Sequence, residues 1–422
     1  MKKLIVLLAS LGLIVAMVAC AAPAPAPPPA PAPAPTPAPP PAPPPAPDKI
    51  VFGQAIGLSG PTAAAVGFLE VPVTELWLEE VNKKGGIYVP QYDKRIPVEL
   101  LRYDDKGDIS TTLKLVEKLI TVDKVDILLP PHGTAWHLAA APLVTKYKYP
   151  VVAWTCATEK LREVAHKYPY FFSTINNPRE TMKSFVDLMV ELGVKTAALI
   201  YVSHEFGIEY TTTSAPIMGP AGIDLLMLKT YPFGPTDLSP LLKEAKAANV
   251  DAFIAHSYVP GTFLLPEQAM VLDFNPKLFY VALACAWPGF VGKFGAEGVE
   301  GIMGPGGWNP GIPYPEAKEF YDKFLAMHGR PPCNWSSAHG YATLQVYEQA
   351  IAKVGFEDRE ALRDVIATET FMTAIGPVKY ENQFNFLQPS MVGQWQNGVF
   401  ESIAPKETST AEPIYPKPPW PK

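Results

Sequence analysis

KIVFGQAIGLSGPT, residues 49–62, is a strand feeding a loop. Residues 49–56 are mostly β-branched or apolar, the composition of a buried strand. Gly57-Leu58-Ser59-Gly60-Pro61-Thr62 is dense in turn formers. Beyond it Leu69, Val73, Leu76, Trp77 and Val81 recur at helical spacing, which predicts a helix from about Gly67 to Lys84, closed by Gly85-Gly86. Pro72 must lie near the start of that helix or kink it. The alternation repeats downstream: strand 97–103, helix 110–122, strand 125–130, helix 135–147, strand 150–155. After Tyr168-Pro169-Tyr170-Phe171-Phe172 a second series runs helix 178–192, strand 195–202, helix 206–218, strand 223–230, helix 237–248, strand 250–255, helix 261–272 and strand 277–283. Short apolar strands alternating with helices predict right-handed βαβ units and parallel sheets. The fold class is α/β, with two doubly wound parallel-sheet lobes. Open sheets of this kind bind ligands at the carboxyl ends of their strands, here in the cleft between the lobes.

The chain length supports the division. Residues 48–422 exceed what one hydrophobic core usually organises. A formal net charge of -6 argues against a nucleic-acid partner, which would require a basic face. There are four cysteines, Cys20, Cys156, Cys285 and Cys333, with no C-x-x-C spacing; if Cys20 carries a lipid three remain, so one disulfide is possible and a disulfide framework is not.

The N-terminus reads differently. Lys2 and Lys3 precede an apolar run from Leu4 to Ala19, about 16 residues, shorter than the roughly 20 that span a bilayer. This is the form of a signal peptide, residues 1–19. Met17-Val18-Ala19-Cys20 resembles the lipobox of bacterial lipoproteins, with Met17 where that pattern usually has Leu, and implies lipidation of Cys20. The alternatives are an ordinary secretory peptide cut near Ala22 and an uncleaved anchor. From Pro23 to Pro47 there are 16 prolines in 25 residues, which admits neither helix nor sheet. Residues 20–47 form a polyproline II linker that reaches up to about 75 Å at roughly 3.1 Å per residue.

Several segments resemble the type I periplasmic binding fold, and within it the branched-chain amino acid (Leu/Ile/Val) binding family of ABC importers. They are Gly57-Leu58-Ser59-Gly60-Pro61, Val81-Asn82-Lys83-Lys84-Gly85-Gly86-Ile87, Tyr103-Asp104-Asp105, Cys156-Ala157-Thr158 and His204-Glu205-Phe206-Gly207. Gly376-Pro377-Val378-Lys379-Tyr380 and Gly393-Gln394-Trp395-Gln396-Asn397-Gly398 complete the set, in the expected order over about 49–405. The resemblance implies three hinge crossovers, near Tyr170–Thr174, Met303–Pro310 and Ala374–Tyr380. It implies one lobe of 49–170 plus 306–374, a second of 175–303 plus 380–405, and hinge closure that traps a ligand and signals to a permease. The tail 406–422, with five prolines, reads as disordered or draped on a lobe.

The resemblance also implies where the ligand's carboxylate sits: on backbone N–H groups and hydroxyls of the loops after the third and fourth strands of the first lobe. Those loops read Pro131-His132-Gly133-Thr134 and Thr155-Cys156-Ala157-Thr158, each running into a helix N-terminus that favours an anion. Thr134 and Thr158 offer hydroxyl donors, and each is also a natural N-cap. The family's carboxylates for a ligand ammonium have no counterpart here. Asn176 and Asn177 stand after the first crossover, Ala284-Cys285-Ala286-Trp287 after the strand ending near Leu283, and no Asp or Glu occurs between Asn275 and Phe294. Trp154, Phe206, Tyr258, Trp287 and Trp308 supply an aromatic wall instead. The expected ligand site is Ser59, His132, Gly133, Thr134, Trp154, Cys156, Ala157, Thr158, Phe206, Tyr258 and Trp287. The expected ligand is a carboxylic acid lacking an amine, or a neutral amide, with an apolar or aromatic body. The bland alternative is that two or three of the rings are lobe core.

Other motifs carry little chemistry. His132 and His137 are spaced by five, which does not stack two ligands on one helix face, and no H-E-x-x-H, Walker or G-x-S-x-G pattern occurs. No metal, cofactor or enzymatic activity is expected. The reading is an extracytoplasmic, lipid-anchored substrate-binding protein. Its partners are a small-molecule ligand and an ABC transporter permease, with membrane contact only through the lipid. An extracytoplasmic ligand sensor of the same fold is the alternative.

Overall fold

A computed structural model describes Ala26 and residues 45–422 of the chain. The predicted signal peptide, the lipidation cysteine Cys20 and nearly all of the Pro/Ala linker lie outside the described residues. The first series comprises β1 (Ile50–Ile56), α1 (Ala63–Lys83), β2 (Ile87–Val89), β3 (Lys94–Ile96), β4 (Val98–Asp104), α2 (Ile109–Thr121), β5 (Ile127–Leu128), α3 (Thr134–Lys146), β6 (Val151–Ala153), α4 (Glu159–Glu163) and β7 (Phe171–Ser173). The second runs α5 (Pro178–Glu191), β8 (Thr196–Val202), α6 (Glu205–Met218), β9 (Asp224–Tyr231), α7 (Ser239–Ala247), β10 (Ala252–His256), α8 (Val259–Val271), β11 (Leu278–Val281), α9 (Pro288–Val299) and β12 (Ile302–Pro305). Then come α10 (Pro315–His328), α11 (Ser336–Val354), α12 (Arg359–Thr368), β13 (Phe371–Thr373), β14 (Gly376–Val378), β15 (Tyr380–Glu381), β16 (Phe384–Asn385), β17 (Val392–Gln396) and β18 (Val399–Ala404).

Two lobes result. In the first, β4-β1-β5 form a parallel sheet in which Ile50 stands opposite Val98 and Phe52 opposite Ile127. β6, β7 and β16 continue the parallel pattern in a sheet that ends on β15. Phe52, Trp77, Trp154, Trp308 and Tyr347 belong to its core, closed by α1, α10 and α11. In the second lobe seven strands run β18-β17-β12-β11-β10-β8-β9, parallel from β12 to β9, with the β17–β18 hairpin antiparallel at one edge. Phe185, Phe253, Phe279 and Tyr280 are fully buried there.

The strand pairing departs from the expected lobe division at one point. Residues 380–385, expected in the second lobe, join the first-lobe sheet: Phe384 of β16 pairs with Ser173 of β7, and β15 pairs with β16. Tyr380 packs on Phe172 at 5.3 Å, and its hydroxyl is 2.9 Å from that of Thr174. The third passage between lobes therefore falls between β16 and β17, later than Ala374–Tyr380.

α1 begins four residues earlier than predicted and carries Pro72 in its interior. Pro72 has no N–H for the carbonyl of Phe68, and the guanidinium of Arg330 supplies the missing donor, Nη2 to O at 3.1 Å. The Pro72 carbonyl in turn contacts His328 Nε2 at 3.0 Å.

The tail is draped on the second lobe. Ile414 exchanges hydrogen bonds with the Gln394 side chain at 2.7 and 2.8 Å. The Lys417 amide donates to Lys277 O at 2.7 Å, and Trp420 Nε1 donates to Phe274 O at 2.9 Å. Lys417 Nζ lies 3.4 Å from the centre of the Trp420 ring, and burial lowers its pKa to about 7.

Candidate functional site

The loops after β5 and β6 face the starts of α6 and α8 and the turn after β11 across the cleft. Between them lie two adjoining cavities, of about 30 Å³ and about 250 Å³, which share His132, Gly133, Tyr258 and Leu283 in their walls. Polar atoms of the smaller one come from Thr134, Thr155 and Ser336, and its apolar wall from Leu69, Ile175, Phe206 and Trp335. The larger is walled by Trp136 of the first lobe and by His204 and Phe233 of the second. His204 stands 4.9 Å from Tyr258 and 5.3 Å from Phe233, ring centre to ring centre. Among the described residues, no Asp, Glu, Lys or Arg lines either cavity.

Local geometry follows from residue type. Gly133 caps α3 at φ 90°, a conformation natural to glycine, and a Cβ there would sit 3.1 Å from the Trp136 ring. Its N–H donates to Thr155 Oγ1 at 3.2 Å. Leu283, in the shared wall, holds φ 65° and ψ -88°, a sparsely populated region that costs roughly 1–3 kcal/mol and is maintained by its surroundings.

His132 is the one ionisable group that both cavities take from the first lobe. Its Nδ1 is hydrogen-bonded to Oε1 of Glu70, a fully buried residue of α1. Burial alone pulls the imidazole pKa down, but the Glu70 carboxylate, aided by Asp105, outweighs it and raises the value above 6.5. Two other histidines nearby behave oppositely. His137 gives Nδ1 to Gly133 O at 2.7 Å, and burial lowers it to about 3; burial also lowers His204.

Of the predicted ligand residues, His132, Gly133, Thr134, Ala157, Phe206 and Tyr258 are brought together on the cavity walls. Five others line neither cavity. Trp154 belongs to the core, fully buried and in contact range of Gly340 of α11. Cys156 is buried in a small apolar cluster with Ala141, Ala153, Leu161 and Phe171, and burial, then the nearby Glu209 charge, pushes its thiol well up. Cys156, Cys285 and Cys333 are all free. Trp287 stacks on Phe68 at 5.0 Å, second lobe against first. Ser59 is exposed and turned to Asp104, Oγ to Oδ2 at 2.6 Å.

Thr158 is the instructive case. It caps α4, accepting from the Lys160 N–H at 3.1 Å, and donates to Oε1 of Glu209 at 3.0 Å. The other Glu209 oxygen accepts the Glu159 N–H at 2.9 Å. Glu209 comes from α6 of the second lobe and is nearly fully buried. Thus the Thr158 hydroxyl, expected to hold a ligand's carboxylate, holds a carboxylate of the protein itself, together with the amide that follows it.

Sequence reasoning missed Glu70, Thr155, Leu283, Trp335 and Ser336. Glu70 had a signal, an acid beside Leu69 on the apolar stripe of α1. Trp335 and Ser336, at the start of α11, had none.

Two α/β lobes thus enclose a small cleft with hydroxyl and aromatic walls. The chain belongs to the periplasmic binding protein family, whose sequence profile matches residues 49–399. It is 22% identical over 394 residues to Leu/Ile/Val-binding protein homolog 7 of Brucella suis and of Brucella abortus, covering 86% of this chain and 93% of each relative. Among solved structures it superposes on the branched-chain amino acid transporter substrate-binding protein LivJ from Streptococcus pneumoniae, in complex with isoleucine. There the TM-score is 0.73 and identity 19%, over 85% of this chain and 100% of that one. A solute-binding protein of an ABC transporter from R. palustris, in complex with benzoate, gives a TM-score of 0.73 at 18% identity, over 86% of this chain and 98% of that one.

Proposed function

We propose that this protein is the substrate-binding component of an ABC importer. It captures a small organic ligand outside the cytoplasm by closure of its lobes and presents it to a permease; its action is capture and release. In this reading Cys20 carries a lipid and the Pro/Ala tract is the stalk that links anchor to lobes. The ligand class we infer is a carboxylic acid without an amine, or a neutral amide, on an apolar or aromatic body.

One observation carries the ligand reading. The cavity walls offer hydroxyls, amides, aromatic rings and His132, but no carboxylate to pair with a ligand ammonium. A cation buried there without a counter-charge costs several kcal/mol. The cavity of about 250 Å³ falls below the roughly 300–1,000 Å³ of drug-sized sites, so a single ring or a short branched chain suits it. The isoleucine and benzoate complexes of the structural relatives support a fold that accepts either kind of ligand, and the missing acids favour the second kind here.

The test is a thermal-shift screen of the protein, unfolded and refolded to strip carried-over ligand, against amino acids, aliphatic and aromatic carboxylic acids, and amides. A micromolar ligand at millimolar concentration adds about 4 kcal/mol to stability. Acids or amides are expected to raise the melting temperature by several degrees, with leucine, isoleucine and valine inert. A large shift with leucine alone would overturn the ligand class.

A further inference from the structure

Glu70 has no place in the family resemblance and lines neither cavity, yet it is the fully buried acid in direct contact with the cleft wall. It stands in α1, which carries Leu69 into the smaller cavity and Ala65 into the larger. Its side chain is 0% exposed; Oε1 meets His132 Nδ1, and Oε2 has no hydrogen-bond partner among the described residues. A buried carboxylate with one unsatisfied oxygen is tolerated only where an opposite charge compensates it.

We propose that Glu70 is the counter-charge that keeps His132 cationic and thereby makes it the anion-recognising group of the cleft. The inference rests on the ligand class proposed above. With Nδ1 committed to Glu70, Nε2 remains as the donor for a carboxylate. A charge-assisted hydrogen bond of this kind is roughly twice as strong as a neutral one, which separates an acid from its amide.

Two carboxylates act on His132, and the partly buried Arg102 of β4 acts on one of them, Glu70. Glu70 from α1 and Asp105 after β4 both favour the imidazolium. His137 of α3 is held neutral by burial, to which the charge on His132 adds. Across the cleft, uncharged His204 and Tyr258 share its walls. Because the folded pKa is raised, anion affinity persists through pH 6.5 and is lost as pH rises through the higher value. In Glu70→Gln the larger of the two raising charges is gone, the midpoint drops, and the cation returns only at lower pH.

The measurement is a histidine-labelled NMR titration of the whole ligand-free protein, with His132→Gln to assign the resonance, alongside calorimetry with benzoate and benzamide as probes. The His132 titration midpoint is expected above 6.5 in the wild type and lower in Glu70→Gln. Benzoate should bind the variant about tenfold more weakly at a pH between the two midpoints, recovering at acid pH, with benzamide changed less than twofold. Glu70→Asp, which keeps the charge, should restore part of the benzoate affinity and guards against a variant that does not fold. A wild-type His132 midpoint no higher than 6.5, or equal midpoints in wild type and Glu70→Gln, overturns the proposal. If the midpoints separate and neither protein binds benzoate, the ligand class fails and the pairing stands.

Discussion

Glu209→Ala is expected to weaken ligand binding by about a hundredfold and to shift the lobes toward an open arrangement. The Glu209 carboxylate, buried in α6, takes the Thr158 hydroxyl at 3.0 Å and the Glu159 amide at 2.9 Å from the other lobe. Hydrogen bonds to a charged group contribute roughly 1.5–3 kcal/mol each, and removing the acceptor strands two donors in the closed form that water satisfies in the open one. The change therefore falls on the closed state, and the population shift appears as lost affinity. Neighbouring contacts share the work: Lys160 reaches Glu205 at 2.7 Å, and Arg162 reaches Glu180 at 2.6 Å, both across the lobes. These are more exposed and count for less. Calorimetry and small-angle scattering read the two effects. Unchanged affinity and radius of gyration in the variant would show that closure does not depend on this carboxylate.

Trp154→Ala should act on the fold instead. Trp154 is fully buried in the first-lobe core, and truncating such a ring costs about 3–5 kcal/mol through lost contacts and the cavity left behind. Chemical denaturation should show that loss, whereas the dissociation constant of the folded fraction should stay within a few-fold of wild type. A collapse in affinity with little loss of stability would return Trp154 to the ligand wall, where its place in the sequence had put it.

The contrast between these two residues shows what was legible. Strands and helices were, because burial of a parallel sheet writes continuous apolar runs such as VDILLP and helices write their own period. The loops that carry the site followed from the strand-end rule. Side-chain direction did not: at the end of β6 successive side chains point to opposite faces, so Trp154 turns into the core and Thr155 into the cleft. Contacts made across long stretches of sequence were equally hidden. Pro72 stays inside a helix because Arg330 serves the orphaned carbonyl, and Thr158 gives up its anion to Glu209, about fifty residues on. Neither partnership leaves a trace in local pattern.

The stacking of Trp287 on Phe68 has an optical consequence. Most of the eight tryptophans, including Trp77, Trp154, Trp308 and Trp395, are locked inside one lobe and emit the same light whether the cleft is open or shut. Trp287 is shielded by a ring and, through it, a guanidinium that belong to the opposite side: Phe68 at 5.0 Å, itself covered by Arg330. Parting the lobes bares this indole to water and reddens its emission, so the native protein carries its own fluorescent gauge of ligand capture, without a dye.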